Sequence, residues 1–469
     1  MKKVTLCLLC LTVFPAFAQQ KPDSLRITLQ QAIEIALTES PNMRIADRTI
    51  ETKKYYRKEQ IVGLFPNVTG AASYQRTLQK QKMVFDMSGM TSGAMGGLVG
   101  SLNELMALFG LDPIEMGGGD GGPMEVGTFN NIAFSANFSL PIIAPALWST
   151  IKLTAMDIEL AVEQARASKI ALVSNIKKAY YRVLIAQESY KVLMDSYNNV
   201  VQNAQLVTDK YNQGLVSEFD KLRADVQVHN VRPNISAALN ALELSQKALK
   251  IYMGVDVFEP MIFEGKLKDF EAEMEAAKLP EKSSLTLGNN TDLKQMDMVI
   301  QQLERSRKIV LSSACPMLAL SGSFQYMTMG DDIPAHEFNW FPTSVIGISL
   351  QIPIVSWAST SYKNKQIKNN IQNMNDNRLN LERSLWFSIS NCLGNIDKAL
   401  ADFESSSESV KMATRAFEIA QKQYEVGLAI WLQLSDIEMA LLHSQLSYYH
   451  SIHDYLVAQA ELEYVLGKN

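Results

Sequence analysis

Apolar residues recur at alternating intervals of three and four along Ile176, Ala179, Val183, Ala186, Tyr190, Leu193, Tyr197, Val200, Ala204, Val207 and Tyr211. The same rhythm returns 213 residues later at Ile389, Cys392, Ile396, Ala399, Phe403, Ser406, Val410, Ala413, Phe417, Ala420 and Tyr424, with Ser406 the polar exception. A 3-4 alternation keeps one stripe of a helix apolar, so each half carries about five heptads of coiled-coil seam. Both seams end in Tyr-x-x-Gly-Leu, at Tyr211 to Leu215 and at Tyr424 to Leu428, and resume from Ala224 to Tyr252 and from Ile437 to Val465. Glycine just past the last periodic residue stops a helix. Each half is therefore expected to be a long helical hairpin, over 142–254 with its tip near 214 and over 354–467 with its tip near 427. Pro233 interrupts the first returning helix and is expected to kink it. The outgoing helix, from about Trp148 to Tyr211, would run roughly 95 Å at about 1.5 Å per residue, longer than any globular core.

Upstream of each hairpin the period changes to two. Val68, Gly70, Ala72 and Tyr74 share one side, as do Ile132, Phe134, Ala136, Phe138 and Leu140. Leu318, Leu320, Gly322, Phe324 and Tyr326 do the same in the second half, with Ile346, Ile348 and Leu350. Between them lie small or polar residues such as Thr69, Ser73, Ser135, Asn137, Ser321 and Ser323. Runs of about ten residues with one apolar side fit transmembrane β-strands, lipid outside and water inside. The expected order is N-terminal helices over 19–65, a β-hairpin over 66–141, a connector over 255–289, a helix over 290–315 and a second β-hairpin over 316–353. Ser40, Asn42, Met43 and Pro66 precede Asn290, Asp292, Leu293 and Pro316 by 250 residues, so the first half carries about 37 extra residues between its two strands. That stretch, 86–127, holds 12 of the 24 glycines and 6 of the 22 methionines and predicts a long surface loop, with an amphipathic helix over Leu98 to Leu111.

Composition narrows the class. The 469 residues are 47% hydrophobic and 20% charged with a net charge of −5, which excludes a disordered chain and a basic nucleic-acid-binding one. Lys2 and Lys3, the apolar run from Val4 to Phe14 and Ala16-Phe17-Ala18 have the layout of a signal peptide over 1–18, so the mature chain is expected to begin at Gln19 and to be exported. Cys315 and Cys392 then remain, too few for a disulfide framework. No apolar run of transmembrane-helix length follows, so a chain of this pattern enters a membrane as a closed β-barrel. Four strands cannot close one. Three copies supply twelve strands around a lumen, and the same copies supply helices that continue the wall. The expected fold is mainly α with transmembrane β: a trimeric twelve-stranded barrel, four strands per chain, continued by a long α-helical coiled-coil tunnel, with two structural repeats per chain.

The opening Ile27-Thr-Leu-Gln-Gln-Ala-Ile-Glu-Ile-Ala-Leu-Thr-Glu-Ser-Pro41-Asn42, the tips Gly214-Leu215-Val216-Ser217 and Gly427-Leu428, and the duplicated order of segments resemble the TolC-like outer-membrane efflux proteins over nearly the whole mature chain. The resemblance implies a homotrimer in outer-membrane lipid, extending into the periplasm. It implies the exit duct of a tripartite efflux or secretion system, taking drugs, other small molecules or proteins from an inner-membrane transporter and a periplasmic adaptor. No enzyme activity, cofactor, metal or nucleic-acid partner is implied. Counting from the tip glycines, Tyr424 falls at the family's gating tyrosine and Asp220 at its aspartate partner. The hydroxyl of one reaches the carboxylate of the other only if the two hairpins lie side by side with tips level. Asp436 falls at a pore-ring aspartate, Gln433 stands where a second ring aspartate is expected, and Ala429 where a constraining arginine is expected. One bridge and one charge ring are thus absent. Gly214, Leu215, Gly427 and Leu428 take the positions of the tips that dock the adaptor.

Plainer readings compete for several of these residues. Tyr424 also reads as an ordinary seam residue, and Asp220 and Asp436 as solvated acids. His443, His450 and His453 share one helix without a supporting cysteine or carboxylate cluster, which favours a polar face over a metal site. Met87, Met90, Met95, Met116 and Met124 suit a flexible loop better than soft-metal cargo, and Cys392, on the seam, suits packing better than redox chemistry. No Gly-rich phosphate loop, Ser-His-Asp order or HExxH site marks an enzyme. The rival class is a coiled-coil envelope protein or adhesin with no pore, which explains the heptads but not four amphipathic strands interrupting them at corresponding places.

Overall fold

The computed structural model describes residues 25–83, 94–113, 124–276, 285–331, 339–354 and 357–468. The expected leader at 1–18 lies outside them, as do 86–93 and 114–123 of the expected loop, with Met87, Met90 and Met116, and 277–284 of the connector. By contacts the chain divides into two units, one of residues 1–56, 152–306 and 365–469, the other of residues 57–151 and 307–364. In chain order the elements are β1 Leu25–Ile27, α1 Leu29–Glu39, α2 Pro41–Val62, β2 Asn67–Arg76, β3 Gln81–Met83, α3 Ala94–Leu108, β4 Met124–Val126, β5 Asn130–Ile143, α4 Pro145–Asn212 and α5 Glu218–Met253. There follow β6 Met261–Phe263, a 3-10 turn at Leu267–Phe270, α6 Glu271–Ala276, α7 Thr291–Ser312, β7 Met317–Gly330, β8 Trp340–Gln351, α8 Trp357–Glu425 and α9 Trp431–Val465. No helix among the described residues is long and apolar enough to cross a membrane.

The helical unit is built on the two seams. Ile176, Val183, Val200, Ala204 and Val207 on α4 are buried, and so are Ile389, Cys392, Ile396, Ala399, Phe403, Ala420 and Tyr424 on α8. The returning helices bury Ala224, Val231 and Leu249 on α5, and Leu441, Tyr448, Tyr455, Ala458 and Leu462 on α9. The polar exception is satisfied: Ser406 donates to the Phe403 carbonyl at 3.2 Å, and its oxygen lies 3.4 Å from that of Ser451, a seam residue of α9. Pro233 does not divide the returning helix, which continues as one element from Glu218 to Met253.

Two short elements were not visible in the pattern. β1 pairs in parallel with β6, Leu25 opposite Met261 and Ile27 opposite Phe263, and the Tyr180 hydroxyl donates to the Ile27 carbonyl at 3.1 Å. Thr28 then starts α1 with a capping box, its oxygen accepting from Gln31 N–H at 3.4 Å while Gln31 Oε1 accepts from Thr28 N–H at 3.0 Å. Pro41, which suits a first helical position, opens α2.

The hairpins end in matching joints. Gly254, the residue after α5, has φ 75°, and a Cβ there would lie 2.8 Å from the Glu39 carbonyl oxygen. Gly467, which follows α9, has φ 67°, and a Cβ would overlap the Asn289 carbonyl. Beside it Asn290 caps α7, accepting from Asp292 and Leu293 N–H at 2.9 and 3.0 Å, and donates to the Val465 carbonyl at 2.8 Å.

The second unit holds a four-stranded antiparallel sheet in the order β2-β5-β7-β8. Its register places Val68, Phe138, Gly322 and Ile346 in one row and Ala72, Phe134, Tyr326 and Pro342 in another, so the apolar residues of all four strands share a face. That face is open in the single chain, with Ile346 75% and Val68 68% exposed. Trp340 stacks on Tyr326 at 5.1 Å and on Phe134 at 5.9 Å between ring centres. β3 and β4 pair as well, so residues 124–126, expected in the loop, belong to a strand. The helix expected over 98–111 occupies 94–108 instead.

The joints generate a test. An alanine at φ near +70° costs about 1–2 kcal/mol, and a steric overlap with backbone adds about 1–3 kcal/mol. Gly254→Ala and Gly467→Ala are therefore expected to lower the urea midpoint clearly more than Gly214→Ala or Gly427→Ala, whose Cβ atoms would meet open space.

Candidate functional site

The two Tyr-x-x-Gly-Leu turns form the candidate site. At the first, Gly214 takes φ 74°, and the N–H groups of Gly214 and Leu215 return to the Tyr211 and Lys210 carbonyls, each at 2.9 Å. A residue with a Cβ resists that left-handed conformation, which is why glycine ends the helix. Ser217 then caps α5, accepting from Asp220 N–H at 3.2 Å while its hydroxyl donates to Asp220 Oδ2 at 2.7 Å. At the second turn Gly427 takes φ 82° and Leu428 N–H returns to the Gln423 carbonyl at 2.8 Å. No hydroxyl stands at the start of α9. Gln433 caps it instead, its Oε1 accepting from Ile430 N–H at 3.2 Å.

Both turns share one small core of Ala204, Val207, Ala224, Phe417, Ala420, Tyr424, Trp431, Leu434 and Leu441. Beside it lies a cleft of about 640 Å³ whose lining includes Lys210, Leu215, Asp220, Tyr424, Ala429 and Trp431. The structure thus brings Asp220 and Tyr424 to one cleft, but no hydrogen bond joins them. Tyr424 is 3% exposed, and its hydroxyl has no hydrogen-bond partner among the described residues. Burial first, and then the charge of Asp220, push that hydroxyl up to about 12. The Tyr424 ring meets Trp431 edge-on at 5.9 Å and carries the Lys210 ammonium over its face, 4.3 Å from the ring centre. The same ammonium donates to the Tyr424 backbone carbonyl.

Asp436 and Gln433 are exposed, one turn apart on α9, while Trp431, Leu434 and Glu438 point into the protein. Gln433 is also occupied in capping, which gives that residue a local reason to be an amide. Leu215 and Leu428 stand out from the tips, 68% and 80% exposed. Of the histidines, His453 lies 3.0 Å from Asp454 and is held below its ordinary value mainly by burial, and His443 lies 3.4 Å from the Ser447 hydroxyl. Among the described residues no group of three or more metal-ligating side chains is placed to hold an ion.

Glu438 was not singled out by the pattern. It is 4% exposed, accepts one hydrogen bond from Asn203 Nδ2 of α4 at 3.3 Å, and leaves Oε1 without a partner among the described residues. Burial outweighs that bond and pushes its carboxyl up to about 7. The signal available in the sequence was weak: a glutamate beside the seam residue Ile437 reads as solvated.

Comparison with known proteins agrees with this architecture. The family model described as outer membrane efflux protein matches residues 32–255 and 283–468. Outer membrane protein TolC of Vibrio cholerae is 21% identical over 340 residues, covering 71% of this chain and 75% of that protein. The crystal structure of the Campylobacter jejuni CmeC outer membrane channel superposes with a TM-score of 0.70 at 16% identity, covering 94% of this chain and 85% of that one. VceC of Vibrio cholerae, an outer membrane protein, superposes with a TM-score of 0.67 at 15% identity, covering 94% and 96%. At these identities the structural likeness is one of fold.

Glu438 predicts a pH dependence. Its folded value, about 7, lies above the ordinary 4.5, so the folded tip binds the proton more tightly. Stability is then full below about pH 4.5 and is lost as pH rises through 7. Local opening of residues 434–442, followed by hydrogen exchange corrected for intrinsic rates, is expected to increase by about tenfold or more between pH 5 and 8, and Glu438→Gln is expected to flatten that rise.

Proposed function

Since the chain belongs to the outer membrane efflux protein family, and is therefore an outer-membrane efflux channel rather than an enzyme, we propose that three copies of it form the exit duct of a tripartite efflux system. The observation that carries this reading is the sheet of β2, β5, β7 and β8, which has one apolar face and two strand edges without partners in its order. Unpaired edges are intolerable in hydrocarbon, and three copies joined edge to edge supply twelve strands around a lumen. An envelope coiled coil without a pore leaves that apolar face unused.

The helical hairpins line the route. Exposed Leu215 and Leu428, presented by the turns at Gly214 and Gly427, suit the apolar surface of a periplasmic adaptor, through which an inner-membrane transporter delivers drugs or other small molecules. The shared core and cleft around Tyr424 and Asp220 form the periplasmic gate. Asp436, with Gln433 beside it, narrows the bore above the gate, and three copies of Asp436 attract cations there.

Protein extracted from outer membranes in detergent is expected to have about three times the mass of one chain and to conduct ions as single channels in planar bilayers. A stable monomer without conductance would overturn the proposal. Asp436→Ala is expected to lower the preference for cations, read as a shift of reversal potential in a salt gradient, with the trimer intact.

A further inference from the structure

Ala429 offers no polar side chain to bridge the hairpins, and the buried Tyr424 hydroxyl has no hydrogen-bond partner among the described residues. Side chains nevertheless cross between the hairpins near their tips. Asn203 meets Glu438, Gln227 Nε2 lies 3.7 Å from the Met439 sulfur, and Lys210, the nearest of the three to the turns, meets Tyr424. Lys210 sits in the last turn of α4. Its ammonium makes two contacts with one residue of the other hairpin, the ring face at 4.3 Å and the backbone carbonyl. That carbonyl belongs to the last turn of α8 and, among the described residues, otherwise receives only the Gly427 N–H, at 3.2 Å. A cation is favoured at such a helix end, where unsatisfied carbonyls concentrate negative potential, and over an aromatic face. Lys210 therefore closes the end of a helix that is not its own.

We infer that Lys210, rather than a bond between the Tyr424 hydroxyl and Asp220, is the latch that holds the two hairpins together at their tips. The inference rests on the reading that the pore closes at those tips. Moving the hairpins apart withdraws the ammonium from ring and carbonyl together, so both contacts are lost in one step. The Asp220 carboxylate is engaged elsewhere: it accepts from the Ser217 hydroxyl at 2.7 Å, while the Asp220 N–H donates to the same hydroxyl oxygen. The positive charge and its reach are what the latch needs, and the rest of the lysine is a spacer.

Single-channel conductance in planar bilayers tests this, on trimers isolated from outer membranes. Lys210→Met is expected to raise conductance severalfold, Lys210→Arg to raise it less, and Tyr424→Phe to change it far less than Lys210→Met, because the ring and carbonyl remain. Tyr424→Ala, which removes the ring, is expected to raise it. If Tyr424→Ala opens the channel and Lys210→Met does not, the gate lies at the tips but the latch is not Lys210. If neither changes conductance, the tips are not the gate, and the wider reading of this site fails. Lys210→Gln is the second neutral variant. Should both neutral variants fail to assemble where Lys210→Arg succeeds, Lys210 is an assembly residue, and the inference is overturned.

Discussion

Every backbone N–H and C=O that enters hydrocarbon must find a partner, and four strands cannot provide one for each. Among the described residues β5 and β7 are flanked on both sides, whereas β2 and β8 have a neighbour on one side only. In water such edges are hydrated. Beside an exposed apolar face of Val68, Phe134, Phe324 and Ile346 they would be placed where water is absent. In the proposed assembly, association of copies is part of folding rather than an addition to it. The bore of that proposed assembly, and the need to close it, follow from the same requirement.

The helical unit solves a different problem, that of keeping long helices in register. Apolar seams alone are tolerant of sliding, because one heptad resembles the next. Polar inclusions break that equivalence. Ser406 and Ser451 are a matched pair of hydroxyls with oxygens 3.4 Å apart, sharing two protons between that contact and the Phe403 and Tyr448 carbonyls, and the pair marks one level of α8 against α9. Asn203 against Glu438 marks another, between α4 and α9, but there an oxygen is left over. A half-satisfied carboxyl weakens the core around it, and it lies close to the tips that the proposed mechanism requires to move.

What the sequence disclosed was whatever repeats at short range. Five heptads of seam and four strands of alternating polarity were readable because each residue's neighbours three, four or two positions away carry the same information. The glycine turns were readable because a left-handed residue after a periodic run has few alternatives to Gly214 and Gly427. Pairings between distant short segments were not. Nothing in Leu25–Ile27 announces a strand until Met261–Phe263 lies beside it, 236 residues on. Candidate site residues were placed by counting from the tips, which located Tyr424 and Asp220 in one cleft but did not show what each touches. Lys210 over Tyr424 depends on how two hairpins from opposite halves meet, and Glu438 on which side of α9 is covered, and neither is written in local periodicity.

The glycine joints have a mechanical consequence. At Gly254 and Gly467 backbone meets backbone with no side chain between, so these ends of the returning helices act as pivots of little compliance. Each returning helix is then a stiff arm: α5, with 36 residues, is roughly 54 Å long at about 1.5 Å per residue, and a tilt of about 5° at the pivot sweeps its tip through about 5 Å. A rotation too small to disturb the packing near the pivot is enough, at the far end, to displace the turn at Gly214 that joins α5 to α4, and with it Lys210 in the last turn of α4. Leverage of this kind allows the tip contacts to be few and weak while the rest of the seam stays closed.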